Sequence, residues 1–385
     1  MSKQKSNTVS KGAFGIIVSG GPAPGINCVI SSTVIEAHNN GYKTYGFKDG
    51  FRGACSLESN ALLPLSIESV SGIYNTGGSI LGTSRFNPFV TEEAKSNFLT
   101  TLKNHNIDKL VVIGGEGSAY LSYHIHKNIP GIQVVHIPKT IDNDLILPNK
   151  YPSFGFETAR YVGTKILDTL MVDAKTTRRW FLVTSMGRKA GFLALGLGVA
   201  SGATLTLIPE EFTGSTTTPE KIASIIFSSM EKRVKADKSY GVAILAEGIL
   251  DCLDAESSPL LSNCPRDELG RIRYSQIEVG DVILPPLRKM VSNAGYDIKI
   301  IPKNIGFELR CHSPVSFDIE YTKFLGYGAV QHILKGLSGI MITRDFDELG
   351  YQELESMIND EGNIKSRTVD LNSDLYIVSR SFMIR

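Results

Sequence analysis

The stretch Phe14-Gly15-Ile16-Ile17-Val18-Ser19-Gly20-Gly21-Pro22-Ala23-Pro24-Gly25, followed by the apolar-polar run Ile26 to Asn39, decides the fold class. A short β-branched run stops at two glycines, and a segment with helical spacing begins four residues later. Such a run reads as a strand buried on both faces, turning into a helix. The same grammar recurs in Leu110-Val-Val-Ile113 before Gly114-Gly115 and in Val134-Val-His-Ile137 before Pro138. It returns in Phe181-Leu-Val-Thr184 before Met186-Gly187 and in Val242-Ala-Ile-Leu245 before Glu247-Gly248. Helical spacing lies between them, at Thr91 to Asn104 and at Glu157 to Ala174, with Ala159, Val162, Ile166, Leu167 and Leu170 as its apolar positions. Alternating strand and helix predicts an α/β architecture with right-handed crossovers.

The chain has 385 residues, which suits two domains of ordinary size. A boundary is expected near Tyr151 to Gly155, with a return to the first domain around Lys299 to Gly306. The domains are then 1–153 with roughly 304–355, and 154–303 with the C-terminal segment. Glu256 to Arg266 has little periodicity and reads as an exposed excursion.

A formal net charge of +1 gives no electrostatic reason to expect nucleic acid or an anionic membrane as partner. Met1 to Lys11 is polar and basic with no apolar core behind it, unlike a signal peptide. Five scattered cysteines without a CxxC pair predict reduced thiols and a cytoplasmic location.

In doubly wound sheets ligands sit at the carboxyl ends of the strands. Here those ends collect glycines and charges. Ser19 to Gly25 and Gly114-Gly115-Glu116-Gly117-Ser118 are each a glycine turn leading to a helix start, where backbone N–H groups and the dipole receive phosphates. Glu116 adds a hard oxygen ligand of the kind magnesium takes. Neither turn is a Walker loop or a GxGxxG fingerprint. The segment Pro138-Lys139-Thr140-Ile141-Asp142-Asn143-Asp144 puts a cation and two carboxylates within six residues. Phosphoryl transfer asks for a base on the attacking hydroxyl, metal ligation and cationic compensation. Asp142 suits the base, Asp144 a water-mediated magnesium ligand, and Lys139 the donor phosphate. Arg188, after Met186-Gly187, has the planar fork of a phosphate clamp, and Arg85, Arg179 and Arg310 are similar candidates. For a single arginine a surface ion pair is the commoner fate. Glu247 reads equally as a sugar-hydroxyl acceptor or as a helix-start carboxylate.

The motifs SGGPAPGIN (19–27), GGSILGTSR (77–85), GGEGS (114–118), PKTIDND (138–144), MGRKAG (186–191), LIPEEF (207–212) and FELRC (307–311) together resemble the ordered series of the phosphofructokinases. The resemblance covers nearly the whole chain apart from its two ends. It implies two Rossmann-like three-layer domains with mostly parallel sheets and an active site in the cleft between them. It implies that Gly21, Arg85, Gly115, Glu116, Gly117 and Ser118 handle the phosphoryl donor and its Mg2+, with Glu116 and Asp144 on the metal. Thr140, Ile141 and Asp142 would meet the reacting end of the sugar, with Asp142 as proton acceptor and Lys139 and Arg188 assisting. Met186, Gly187, Arg188, Glu247, Phe307 and Arg310 would bind fructose 6-phosphate. Arg179 would reach across a subunit interface, implying a homodimer or homotetramer.

The donor is read two ways. The resemblance implies aspartate after the metal-site acid in pyrophosphate users, where it excludes the nucleotide α-phosphate; Gly117 leaves that space and favours ATP. Lys139 is similar to the residue that pyrophosphate users place on the transferring group. ATP is the main expectation and pyrophosphate the alternative. Glu116 departs from the usual aspartate by one methylene, and Phe307 stands where many ATP enzymes carry histidine. No arginine lies on the helix Ile26 to Asn39, so the bacterial type of nucleotide regulation is not expected. A non-catalytic regulatory subunit is disfavoured because Asp142, Asp144 and Arg188 are all present, and a dehydrogenase is disfavoured by the missing fingerprint.

Overall fold

The computed structural model describes residues 12–214, 216–265 and 277–385. The basic start Met1 to Lys11, and Arg266 at the end of the expected excursion, lie outside these. The chain divides into two compact units. The first takes the described residues up to Thr140, Leu145–Gly155 and Ser313–Lys365. The second takes Ile141–Asp144, Phe156–His312 and Ser366–Arg385.

The strands are β1 (Ala13–Val18), β2 (Lys43–Phe47), β3 (Leu62–Leu65), β4 (Ile107–Gly114), β5 (Gln133–Thr140), β6 (Phe154–Gly155), β7 (Trp180–Ser185), β8 (Leu205–Leu207), β9 (Gly241–Ala246), β10 (Ile300–Ile305), β11 (Ile340–Asp345) and β12 (Glu348–Glu353). The first unit holds one sheet in the order β12-β11-β5-β4-β1-β2-β3, with β6 paired to β5. Its centre is parallel, while β3 and β12 are antiparallel edges. Every residue of β1 is buried, and so is nearly all of β4 and β5. Successive side chains on a strand point to opposite faces, so both faces are covered. One core gathers Ile17, Phe47, Phe51, Phe98, Leu110 and Val112.

Gly25 stands at the start of the helix Ile26–Asn39 with φ 106°, the left-handed region that penalises a side chain. A Cβ there would come within 2.8 Å of Thr322 Cγ2 on the helix Ser316–Leu334. The loop therefore needs glycine for its conformation and for its closeness to the neighbouring helix.

The second unit holds a parallel sheet in the order β10-β7-β9-β8. Strands β7 and β9 are buried at every position. The protein's single tryptophan, Trp180, sits with Leu182, Leu205, Ile226, Leu245 and Ile283 in its core. Because β10 pairs with β7 along its whole length, residues 300–305 belong to this sheet and the return to the first unit comes at Ser313. The stretch Thr91 to Asn104 forms the helix Glu92–Asn104, with the Thr91 hydroxyl capping Ala94 N–H. Glu157 to Ala174 lies inside the helix Phe156–Thr177; Ala159 and Leu167 are buried, while Val162, Ile166 and Leu170 are only partly so. Within 256–265, Pro259–Ser262 forms a single helical turn.

Candidate functional site

In the first unit the carboxyl ends of β1, β4 and β5 lie side by side, and three of the quoted motifs leave from them. Ser19 N–H donates to Ile113 O at 2.8 Å, joining the first turn to β4. Gly20 N–H donates to Ser84 O at 2.9 Å, and the Thr83 hydroxyl donates to Gly20 O at 2.7 Å. The side chain of Asn27 binds Gly77 O at 3.2 Å and accepts from Ile80 N–H at 2.9 Å. SGGPAPGIN and GGSILGTSR are thus stitched together by Asn27, Thr83 and Ser84, three positions sequence reading left without a task. Arg85 follows Ser84 and is exposed.

Lys139 is 3% exposed, and its ammonium donates to the carbonyl of Gly21. A buried ammonium is tolerated only where its donors meet oxygens. One partner is the turn that sequence reading assigned to the phosphoryl donor. Gly115 precedes the helix Glu116–Asn128, so Glu116, Gly117 and Ser118 form its first turn. Glu116 is partly exposed and Ser118 is buried. A Cβ on Gly117 would meet no atom within 4 Å.

Behind this turn lies a residue that sequence reading passed over as strand filler. His136 is fully buried, and its Nε2 lies 2.9 Å from Gly114 O. A carbonyl only accepts, so Nε2 carries the proton and Nδ1 is the acceptor. The Ser122 hydroxyl stands 3.1 Å from Nδ1 and 3.0 Å from Ser118 O, dividing one proton between two acceptors. Burial is the main reason the imidazole is pushed down to about 3, with Lys139 acting in the same direction against the bond to Gly114. A neutral histidine therefore fixes the peptide at Gly114.

The chain passes from the first unit to the second between Thr140 and Ile141. The Ser153 hydroxyl donates to Thr140 O at 2.9 Å. Ile141, Asp142 and Asp144 are 5%, 9% and 8% exposed. Asn143 between the two acids has φ 57°.

In the second unit Met186, Gly187 and Arg188 leave the end of β7, and Glu247 leaves the end of β9. Glu247 Oε1 accepts from Gly187 N–H at 3.2 Å and from Arg188 N–H at 2.8 Å. Burial raises this carboxyl above its usual range, while the two N–H bonds and the Arg188 and Arg310 charges oppose it. Arg188 itself has φ 49°. Glu247 is the first residue of the 3-10 turn Glu247–Cys252, as the helix-start reading has it, and from there its carboxylate anchors the arginine turn sixty residues upstream. A Cβ on Gly248 would come within 2.1 Å of Arg188 O, so glycine lets the two turns touch.

Met186 N–H donates to Ile305 O at 3.2 Å, bringing FELRC beside MGRKAG. Arg310 lies over the Phe307 ring at 4.6 Å, and its Nε has no hydrogen-bond partner among the described residues. Phe307 is 68% exposed. Arg179 Nε lies 3.7 Å from Asp173 Oδ1 within this chain.

Glu210 of LIPEEF is a further holding residue. Buried, with its pKa raised by that burial, it accepts from Gly191 N–H at 2.9 Å and from Val369 N–H at 2.8 Å. No cluster of three or more His, Cys, Asp or Glu among the described residues could hold a metal ion by itself. All five cysteines are free.

A glycine turn beside a buried lysine, and an arginine turn steadied by the carboxylate of Glu247, stand at the strand ends of an α/β protein. A family model described as phosphofructokinase matches residues 13–333. A pyrophosphate–fructose 6-phosphate 1-phosphotransferase of Thermotoga maritima is 42% identical over 97% of this chain and 90% of its own length. Another of that name, from Naegleria fowleri, is 41% identical over 97% and 88%. An ATP-dependent 6-phosphofructokinase of Lactobacillus gasseri is 29% identical over 94% and 98%. The solved structure of a pyrophosphate-dependent phosphofructokinase from Marinobacter aquaeolei superposes with a TM-score of 0.71 at 23% identity, covering 95% of this chain and 88% of that one. The chain belongs to the phosphofructokinase family.

Proposed function

We propose that this chain transfers a phosphoryl group from inorganic pyrophosphate to the 1-hydroxyl of fructose 6-phosphate, reversibly and with Mg2+. The observation that carries the donor is the similarity, at 42% and 41% identity along nearly the full chain, to two enzymes named for that reaction. Buried Lys139, beside the Gly21 turn, agrees with it. The sequence leaned to ATP on Gly117. The open space around Gly117 keeps ATP as the second reading. Removing an excluding carboxylate, however, supplies no attraction for a nucleotide.

In the proposed reaction Asp142 takes the proton of the sugar 1-hydroxyl as its oxygen attacks. The oxygen–phosphorus bond forms while the bridging bond of pyrophosphate breaks, and phosphate leaves. Glu116 and Asp144 would hold the magnesium, which when bound offsets charge on the donor. Lys139 compensates charge on the transferring group. Met186 to Arg188, Glu247, Phe307 and Arg310 would hold the sugar phosphate, with Arg188 and Arg310 as its cations. The proposal includes a homo-oligomer, in which Arg179 would reach across the subunit interface. A cytoplasmic location is part of the same reading.

Steady-state rates with fructose 6-phosphate and magnesium test the donor. Pyrophosphate is expected to support turnover in both directions, with ATP far slower; turnover with ATP alone would overturn the reading. Gly117→Asp should spare the pyrophosphate rate and abolish any residual ATP rate.

A further inference from the structure

The second unit contains a contact between its C-terminal segment and the loop of the proposed base, which no motif in the sequence announced. Arg367 Nε donates to Asn143 O at 2.8 Å, and one Nη donates to Asn143 Oδ1 at 2.5 Å. The backbone N–H of the same arginine donates to Asp144 O at 2.8 Å. Three donors of one residue thus close on two consecutive residues, and the residue just before them is Asp142.

The geometry has a physical purpose. Asn143 has φ 57°, a left-handed conformation that asparagine tolerates better than most L residues and that contacts to its carbonyl and side chain can fix. A planar fork reading both the carbonyl and the side-chain oxygen of Asn143 fixes the orientation of that peptide, where lysine could offer only a point contact. Arg367 is itself held. Its guanidinium lies 5.0 Å from the centre of the Phe192 ring, at the start of the helix Phe192–Ser201 that follows MGRKAG. Two residues on, Val369 N–H is bound by Glu210, which also binds Gly191 N–H. The arginine is therefore braced on one side by the end of the arginine turn and directed on the other at the base loop.

We propose that Arg367 is a positioning residue for phosphoryl transfer: it holds the Asn143-Asp144 turn so that the Asp142 carboxylate faces the attacking hydroxyl. The inference rests on Asp142 being the base. It predicts that Arg367 acts on the chemical step more than on the binding of either substrate, because small misplacement of a reacting group costs rate steeply.

The test uses the full-length protein with fructose 6-phosphate, magnesium and pyrophosphate. Arg367→Ala is expected to lower kcat by about 100-fold, with KM for both substrates within about twofold, as an effect confined to the chemical step requires. Added methylguanidine should recover part of the lost kcat. Arg367→Lys, which keeps charge and stem, should fall between wild type and Arg367→Ala and not reach wild-type rate. Melting temperatures and circular dichroism accompany each variant; if Arg367→Ala does not fold, Arg367→Lys decides by the same kcat-against-KM split. Unchanged kcat, or a rise in KM that accounts for the whole loss with no response to methylguanidine, overturns the proposal. Asp142→Asn separates the two levels. If it retains wild-type kcat, the assignment of the base fails; if it is inactive while Arg367→Ala is fully active, only the role of Arg367 fails.

Discussion

The imidazole of His136 lies wholly inside the first unit, bonded through Nε2 to Gly114 O and facing Ser122 through Nδ1. Its pKa falls from 6.5 to about 3 because burial penalises the cation. In the unfolded chain the same ring takes up a proton near 6.5, so between these values the unfolded state binds more protons. Stability from the neutral ring is complete above 6.5 and is lost as pH falls toward 3. Urea midpoints measured from pH 7 down to pH 4 should therefore decline, and His136→Gln, which keeps an N–H donor and removes the titration, should show a flatter decline. An equal slope in both proteins would mean that His136 contributes nothing to the acid response. In the sequence this histidine was visible only as one letter in Val134-Val-His-Ile137. The run reads as a strand buried on both faces, so its burial was legible, but nothing local says that the ring's partner will be a carbonyl on the adjacent strand.

Elements were legible to the extent that their signal is local. Strands β1, β4, β5, β7 and β9 announced themselves as β-branched runs ending at glycine or proline, and the helix Ile26–Asn39 by its spacing. The antiparallel edges were not legible: β3 contains Pro64, and β12 reads Glu-Leu-Gly-Tyr-Gln-Glu, neither resembling a buried parallel strand. The same division runs through the site. Motif positions were readable, whereas the holding contacts of Glu247, Glu210 and Arg367 join residues from 19 to 224 positions apart. The turn-on-turn contact of the second unit gives a direct test at this scale. Gly248→Ala puts a methyl carbon within 2.1 Å of Arg188 O, so the Met186–Arg188 turn must move. Overpacking of this kind costs about 1–3 kcal/mol. Fructose 6-phosphate KM should rise by an order of magnitude or more, with pyrophosphate KM little changed. A rise confined to pyrophosphate would reverse the assignment of the two turns.

At the scale of the whole molecule, two sheets with separate cores are threaded by one chain that changes unit at Thr140, at Asp144, at Gly155, at His312 and at Lys365. No feature of the sequence was read as marking the crossings at Thr140, Asp144, His312 or Lys365. Strand pairing sets the one at His312 beyond Ile305, because Ile300–Ile305 must follow β7. One consequence concerns light rather than chemistry. Trp180 is the only indole in the protein, is 1% exposed, and its N–H has no hydrogen-bond partner among the described residues. Its fluorescence should be blue-shifted and poorly quenched by acrylamide, and it should report on the second unit alone. Fructose 6-phosphate should raise the melting midpoint seen in this emission more than pyrophosphate does, because a ligand stabilises what it binds. Equal shifts would show that the two cores unfold as one. The native chain thus carries a built-in optical gauge, and each substrate can be assigned to a unit without attaching a dye.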